Sequence, residues 1–349
     1  MDHWRRVGNR RRRYIAVLLV LAAASGGCGG VVTYGEGESD APEVDRNAIS
    51  GLASCSPVSE SLSEVDTSPG WLAGEQRSFV VRSETVHWRE ERNESTEWPM
   101  LISVIEELDN GWRLEAETSF RLLSSYHHVQ FGIDEEGIAE LESLGRVKVS
   151  YETDVSGTYR GTMNVSSIKD QLEPLFVWYE VHAATLSSED ESVLLGAVEF
   201  ARNSGTLIGS VIEDLRVYHA LYGRAMTPGQ YSMTTTELDN GIGGPDIPAR
   251  EKTGIAESAD AGGCVTFEID ATMDPTNAGS IIAATIRALG ADEGFADEVE
   301  DAGSDFHSES LSLYQWDPSV GWFVSIGSQR LTSISGYTTL RTKTIVVDR

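Results

Sequence analysis

Seven histidines, three cysteines and 55 carboxylates are the side chains from which this sequence could build metal, nucleophilic or acid–base chemistry. His127 and His128 are adjacent in the β-patterned stretch Tyr126 to Ile133, and neighbours on a strand point to opposite faces, so the pair does not chelate one ion. His219 falls on the apolar stripe of a helix, one turn from Leu215 and Tyr222, the setting of a hydrogen-bonded core histidine. His182 follows Trp178 by one turn and reads the same way, and neither histidine has a partner at HExxH spacing. The acidic stretch Asp292 to Asp305 lacks the ligand spacing and fixed glycine of a calcium loop and reads as a solvated loop. No G-x-S-x-G nucleophile elbow, P-loop or S-x-x-K with its supporting motifs is present. The sequence therefore calls for no metal and no cofactor. The carboxylates offer too many catalytic pairs for sequence to choose one, and Trp88, Trp98, Trp316 and Trp322 could stack sugars where exposed. A secreted hydrolase or glycan-binding protein is accordingly the second of two readings.

The cysteines lead back to the beginning of the chain. A basic block (Arg5, Arg6, Arg10 to Arg13) runs into the uncharged stretch Tyr14 to Ala24 and then into small residues ending at Cys28. That is the layout of an export signal, and the apolar run is about half the ~20 residues a helix needs to cross a bilayer. Two cleavage readings stay open. Ser25-Gly26-Gly27-Cys28 resembles the lipobox of bacterial lipoproteins, with Ser25 where that family usually carries Leu. The resemblance implies a signal peptide over 1–27, lipidation of Cys28 and a membrane partner reached through an N-terminal lipid anchor. Ala22-Ala23-Ala24 instead offers ordinary signal peptidase a small-x-small site, which would leave a soluble secreted protein. Arg12-Arg13-Tyr14-Ile15 also resembles a loose twin-arginine signal, with a very basic Sec leader as the alternative. Either route places the protein in the periplasm or at the cell exterior.

If Cys28 is lipidated, Cys55 and Cys264 remain as an even pair in an oxidising compartment, and a disulfide between them is expected. The formal net charge is -28, and removing six arginines and one aspartate with the leader makes the remainder more acidic still. A field of that sign repels nucleic acid, so no nucleic-acid partner is expected. Residues 28–74 are rich in Gly, Ser, Glu, Asp and Pro with few large apolar side chains, the composition of a flexible tether.

From residue 75 to 349 the pattern is an α+β body. Trp112, Leu114, Ala116, Thr118 and Phe120 alternate with charged and polar residues, and Asp109-Asn110-Gly111 marks a tight hairpin to the preceding strand. Further strands are expected over Arg77 to Glu90, Tyr126 to Ile133, Val147 to Tyr151, Thr158 to Met163 and Tyr231 to Leu238. Others follow near Arg250, from Val265, and over Phe306 to Trp316, Trp322 to Ser333 and Tyr337 to Val347. Between them lies a three-helix block over about 166–222, with Pro174 set to bend its first helix, and a fourth helix follows Asp274-Pro275. Ser188 with Glu191 has the pattern of a capping box. The expected architecture is a long curved antiparallel sheet packed on a layer of about four helices.

At the level of layout, one-faced β-meanders on a few apolar helices behind a lipobox-like signal resemble the LolA/LppX-like half-barrel lipoproteins and carriers. That resemblance implies an apolar ligand held between sheet and helices. It makes Leu172, Phe176, Tyr179, Ile208, Ile212, Leu215 and Phe267 candidate cavity lining, against the alternative that they fill an ordinary core. The first reading of function is thus a non-enzymatic, lipid-anchored envelope protein that binds an apolar ligand or a protein partner.

Overall fold

In a computed structural model, described at residues 43–50, 52–53, 55, 64–88, 92–119, 128, 131–203, 206–238, 245–255, 264–288, 294, 296–297, 300, 307–334 and 337–348, strands form the largest share of the described chain. The hairpin at Asp109-Asn110 forms between β3 (Arg92–Leu108) and β4 (Gly111–Ser119), with Leu108 opposite Gly111. A Cβ on Gly111 would stand 1.9 Å from the Thr153 carbonyl oxygen, so only glycine fits where the next strand crosses. The remaining strands are β1 (Val65–Asp66), β2 (Gln76–Trp88), β5 (Arg146–Asp154), β6 (Tyr159–Thr162), β7 (Ala225–Met226), β8 (Tyr231–Leu238), β9 (Ile247–Ile255), β10 (Val265–Met273), β11 (His307–Asp317), β12 (Trp322–Ile334) and β13 (Tyr337–Val347). Eleven of them form one antiparallel sheet in the order β6-β5-β4-β3-β2-β13-β12-β11-β10-β9-β8. Each half is a meander of sequence neighbours, and the halves join where β13 pairs with β2. The last long strand therefore sits beside the first.

Helices cover one face of this sheet. They are α1 (Glu135–Leu144), α2 (Val165–Ala183), α3 (Ser188–Asn203), α4 (Thr206–His219) and α5 (Ala278–Ala288). On α2 the residues Ile168, Leu172, Leu175, Phe176, Tyr179 and Ala183 recur at helical spacing and all are buried. Each large one contributes about 1.5–3 kcal/mol of burial. Pro174 does not split the helix, which runs unbroken through it. The α3 cap lies one residue earlier than expected: the Ser187 hydroxyl accepts from the Asp190 amide and donates to its carboxylate. Helices α1 to α4 share one apolar cluster with the sheet, whereas α5 packs with Ile247 and Met273 in a second, smaller cluster. The fold is thus a sheet-dominated α+β arrangement, and the expected layer of about four helices is five among the described residues, one of them set apart.

Two expectations need correction. Of the strand expected over Tyr126 to Ile133, the described residues 128 and 131–133 are not strand, with a turn at 131–132, and an unexpected helix, α1, follows; Asp134 caps it by accepting from the Gly137 amide at 2.9 Å. The tether reading of 28–74 fails for its described part. Residues 45–50, 52–53 and 55 lie on the face of the sheet away from the helices, where the Asp45 amide donates to Gln329 Oε1 at 2.6 Å and the Ala53 amide to Gln315 Oε1 at 2.9 Å. Arg46 pairs with Glu268 at 2.6 Å. Ile49 is buried over Gly327, where any Cβ would come within 2.6 Å of it. Cys55 is joined to Cys264 by a disulfide with a Cα–Cα separation of 4.9 Å. Further on, Val65 pairs with Met226 and Trp71 is buried in the main core. A few apolar anchors and recruited backbone hydrogen bonds outweigh the loop-like composition. Residues 1–42, including the leader and Cys28, lie outside the described residues, as do His127 and Asp239 to Gly241. Among the described residues no helix is long and apolar enough to cross a membrane.

Candidate functional site

The register of the central strands divides the helix-facing side of the sheet into rows of aligned side chains. One row reads Val347–Phe79–Met100–Thr118–Val147 across β13, β2, β3, β4 and β5. The next reads Tyr314–Ile326–Ile345–Val81–Trp98 across β11, β12, β13, β2 and β3. Both are predominantly apolar. Two residues further along each strand the row becomes Ser312–Ser328–Lys343–Ser83–Thr96, and two further again Ser310–Arg330–Arg341–Thr85–Glu94. One face of one set of strands changes from hydrocarbon to hydroxyls and charges over about 7 Å.

The apolar end holds the residues singled out as cavity lining. Leu172, Phe176 and Tyr179 on α2, Ile212 and Leu215 on α4 and Phe267 on β10 all belong to the main core cluster, and the most exposed of the six, Ile212, retains 7% of its surface. Ile208 lies in α4, with its side chain outside the described residues. The six are buried together in one interlayer between helices and sheet. Trp316 and Trp322 are buried there too, at 1% exposure each, so neither offers a sugar-stacking platform; Trp88 and Trp98 are half-buried.

His219 sits at the centre of this packing, as a core residue. Its Nδ1–H donates to the Gly157 carbonyl at 2.9 Å, which leaves Nε2 to accept from the Tyr151 hydroxyl at 3.1 Å. Trp71, Tyr218 and Tyr222 close on the ring with centroid separations of 5.2–5.8 Å. Burial pushes its pKa down to about 4, with the Gly157 hydrogen bond working weakly the other way. The imidazole is neutral and has both nitrogens occupied, so it is not poised as a base. His128 is buried with Nε2 3.2 Å from the Tyr179 hydroxyl, and His182 places Nε2 2.8 Å from the Phe131 carbonyl while stacking on Trp178. These histidines are structural in their contacts.

At the polar end, the basic side chains meet two carboxylates from α4. Lys343 forms an ion pair with Asp214, both side chains about nine-tenths buried, and its ammonium stands 5.9 Å from the Trp98 ring centroid. Burial opposes ionisation of the neighbouring Glu213, but Lys343, Arg341, Arg330 and Arg216 together outweigh it and hold the carboxyl below its ordinary value. His87 Nε2 stands 3.9 Å from the buried Glu94 carboxylate. Ser83 Oγ, Thr96 Oγ1, Trp98 Nε1 and Arg341 Nε are buried with no hydrogen-bond partner. Buried polar groups are nearly always paired; single exceptions occur at the apolar end at Trp71 Nε1, Trp316 Nε1 and Thr118 Oγ1, whereas here four gather in three adjacent rows beside Asp214, whose Oδ1 also lacks a hydrogen bond.

Sequence reasoning missed this polar end. The available signal was a loss of phase: Arg341-Thr342-Lys343-Thr344 and Ser83-Glu84-Thr85 are polar on both alternating faces, whereas a strand with one buried face keeps one apolar phase. A shallow depression of about 470 Å³ on the exposed side of α3, lined by Ser188, Glu191, Ser192, Leu195, Gly196 and Glu199, lies apart from both ends. No group of three or more His, Cys, Asp or Glu side chains placed to hold a metal occurs among the described residues.

No protein-family model matches the chain, and no curated protein matches it. Among solved structures, one described as "Lipid-protein interactions in lipovitellin" overlaps 80% of this chain at 11% identity with a TM-score of 0.36. This chain spans a quarter of that chain's length. The overlap is too slight to carry an inference about ligand or activity.

Proposed function

We propose that this chain is an exported, lipid-anchored protein of the cell envelope that binds an apolar ligand between its sheet and its helices and performs no chemistry on it. In this reading Cys28 is the lipidated residue, residues between it and the strap at 45–55 link anchor to body, and the sheet curves around the helices as a half-barrel. The observation that carries the ligand reading is the apolar interlayer shared by α1 to α4 and the sheet, drawn from residues between Val65 and Ile345 and built of side chains from both layers. Because the described lining residues are buried, ligand entry requires the helices to part from the sheet; Leu172, Phe176, Tyr179, Ile208, Ile212, Leu215 and Phe267 then become the surface the ligand meets. The layout resemblance to LolA/LppX-like carriers supports the same reading.

Titration of the purified protein with an environment-sensitive apolar fluorophore tests it. Saturable enhancement that long-chain lipids reverse is the expected result. Absence of saturable binding, or enhancement that no lipid displaces, contradicts the ligand reading. The anchor is tested separately: detection of Cys28 in an unmodified peptide of the mature protein overturns lipidation.

A further inference from the structure

We propose that the polar end of the inner sheet face is a binding site for an oxyanion, a phosphate or carboxylate group, presented by Arg341, Lys343, Ser83, Thr96 and Trp98. The identification of that oxyanion as the head of an amphiphile rests on the apolar-ligand reading above; the oxyanion site itself does not.

The argument is one of donor accounting. Lys343, Ser83 and Thr96 lie in one cross-strand row, with Trp98 in the row on one side and Arg341 in the row on the other. Strands about 4.8 Å apart put the three residues of the central row within about 10 Å, the reach of one phosphate and its first ester linkage. Ser83 is 1% exposed and Thr96 5% exposed, yet neither hydroxyl has a partner, although the two residues face each other across β2 and β3. Trp98 Nε1 and Arg341 Nε are obligatory donors and are also unpartnered. Leaving buried donors unmade is costly, and the fold has not replaced them with the Val or Ala that would fit the same rows.

The charges point the same way. In a chain of net charge -28 with only four lysines, Lys343, Arg341 and Arg330 converge on one half-buried face. Asp214 and Glu213 of α4 balance these cations electrostatically but leave the four donors without acceptors. Asp214 Oδ1 is itself buried without a hydrogen bond, so what is missing is not counter-charge but an acceptor within reach of these four donors. An oxyanion supplies several on one compact group and forms charge-assisted bonds with Arg and Lys. A neutral alcohol or sugar would bring its own donors into a site already crowded with them. Because the apolar row Tyr314–Ile326–Ile345–Val81–Trp98 borders the site directly, an alkyl chain attached to the oxyanion would run under the helices while its head met Arg341.

The test titrates the purified full-length protein with decyl phosphate, decanol and inorganic phosphate, for the native sequence and for Thr96→Val, Ser83→Ala and Arg341→Gln. The proposal expects decyl phosphate to bind at least tenfold tighter than decanol, and each variant to weaken decyl phosphate about tenfold while leaving decanol unchanged. Thr96→Val is the decisive variant, since it keeps the shape and removes the orphaned hydroxyl: its melting temperature should rise while oxyanion affinity falls, a combination that a purely structural threonine does not produce. Saturable binding of inorganic phosphate that Thr96→Val and Arg341→Gln weaken also supports the site, with free phosphate as the source. If decyl phosphate and decanol bind equally and no variant alters either, the oxyanion site is overturned and the apolar-ligand reading survives. If none of the three binds, both are overturned.

Discussion

The two ends of the inner sheet face are made of the same strands and opposite chemistry. At one end Phe79, Val81, Ile326 and Ile345 share one apolar cluster with α2 and α4; there His219 has both nitrogens bonded and the Tyr218 hydroxyl donates to the Phe323 carbonyl at 3.0 Å, while Trp71 Nε1, Trp316 Nε1 and Thr118 Oγ1 are buried singly without a hydrogen-bond partner. At the other end Ser83, Thr96 and Arg341 are buried without partners beside an ion pair. Their difference separates two jobs that a sheet can do. Apolar rows supply stability through burial; rows in which unpaired donors gather beside charges lose stability and make sense where something else completes them.

Substitutions at the two ends should therefore act with opposite sign. Phe323→Ala, at the apolar end, removes a fully buried ring that contacts Tyr222, Tyr314 and Trp316. It is expected to lower the unfolding free energy by about 3–5 kcal/mol in denaturant titrations. A loss below about 1 kcal/mol would mean that this end is not the stabilising core.

The strap on the opposite face comes next. Cys264→Ser opens the link to Cys55 across 209 residues of sequence, with an expected loss of about 2–4 kcal/mol and increased proteolytic cleavage near residue 50. Unchanged stability and cleavage would make the strap incidental.

Acidification distinguishes the ends by pH window. The folded pKa of His219, about 4, lies below its ordinary 6.5. The folded state thus binds this proton less readily than the unfolded chain, its contribution is complete above about pH 6.5, and about 3 kcal/mol is lost as pH falls to about 4. Glu213 is shifted down from 4.5, with burial opposing and Lys343 leading the cations that prevail. Its contribution is present above 4.5 and is lost only as pH falls through its lower folded value. Urea titrations from pH 7 to 3 should show both limbs, and His219→Gln should abolish the upper one alone. An upper limb that persists in that variant would assign it elsewhere.

The smallest effect has the most diagnostic sign. Thr96→Val is expected to raise stability by about 1 kcal/mol, because it replaces an unpaired buried hydroxyl with a methyl group. A loss of similar size would show that the hydroxyl is satisfied after all.

Most of the sheet was legible because alternation survives wherever one face is buried. The strand at Gly111 to Ser119, with Leu114, Ala116 and Thr118 buried in alternation, and the turn at Asp109-Asn110 before it follow from it. Helix α1 was illegible because it buries only Leu141, too little for a stripe. The strap was illegible because Gln315 and Gln329, 262 and 284 residues from the amides they accept from, supply its acceptors, and no local pattern from Asp45 to Cys55 announces them. The candidate lining was readable as an apolar set on α2 and α4, but apolar periodicity is the same for a packed core and for a cavity wall. The polar rows were hidden for a related reason. Periodicity marks where a face is apolar and is silent about which polar residues become buried.

The central claim is that the apolar and polar ends together hold one amphiphile. Native mass spectrometry of the intact protein after gentle extraction, with fragmentation of any bound species, tests it most directly. The account predicts a stoichiometric ligand that combines a long alkyl chain with a phosphate or carboxylate and that is depleted in Arg341→Gln. A ligand-free protein from native membranes, or a bound lipid that is neutral and retained unchanged in that variant, would contradict it.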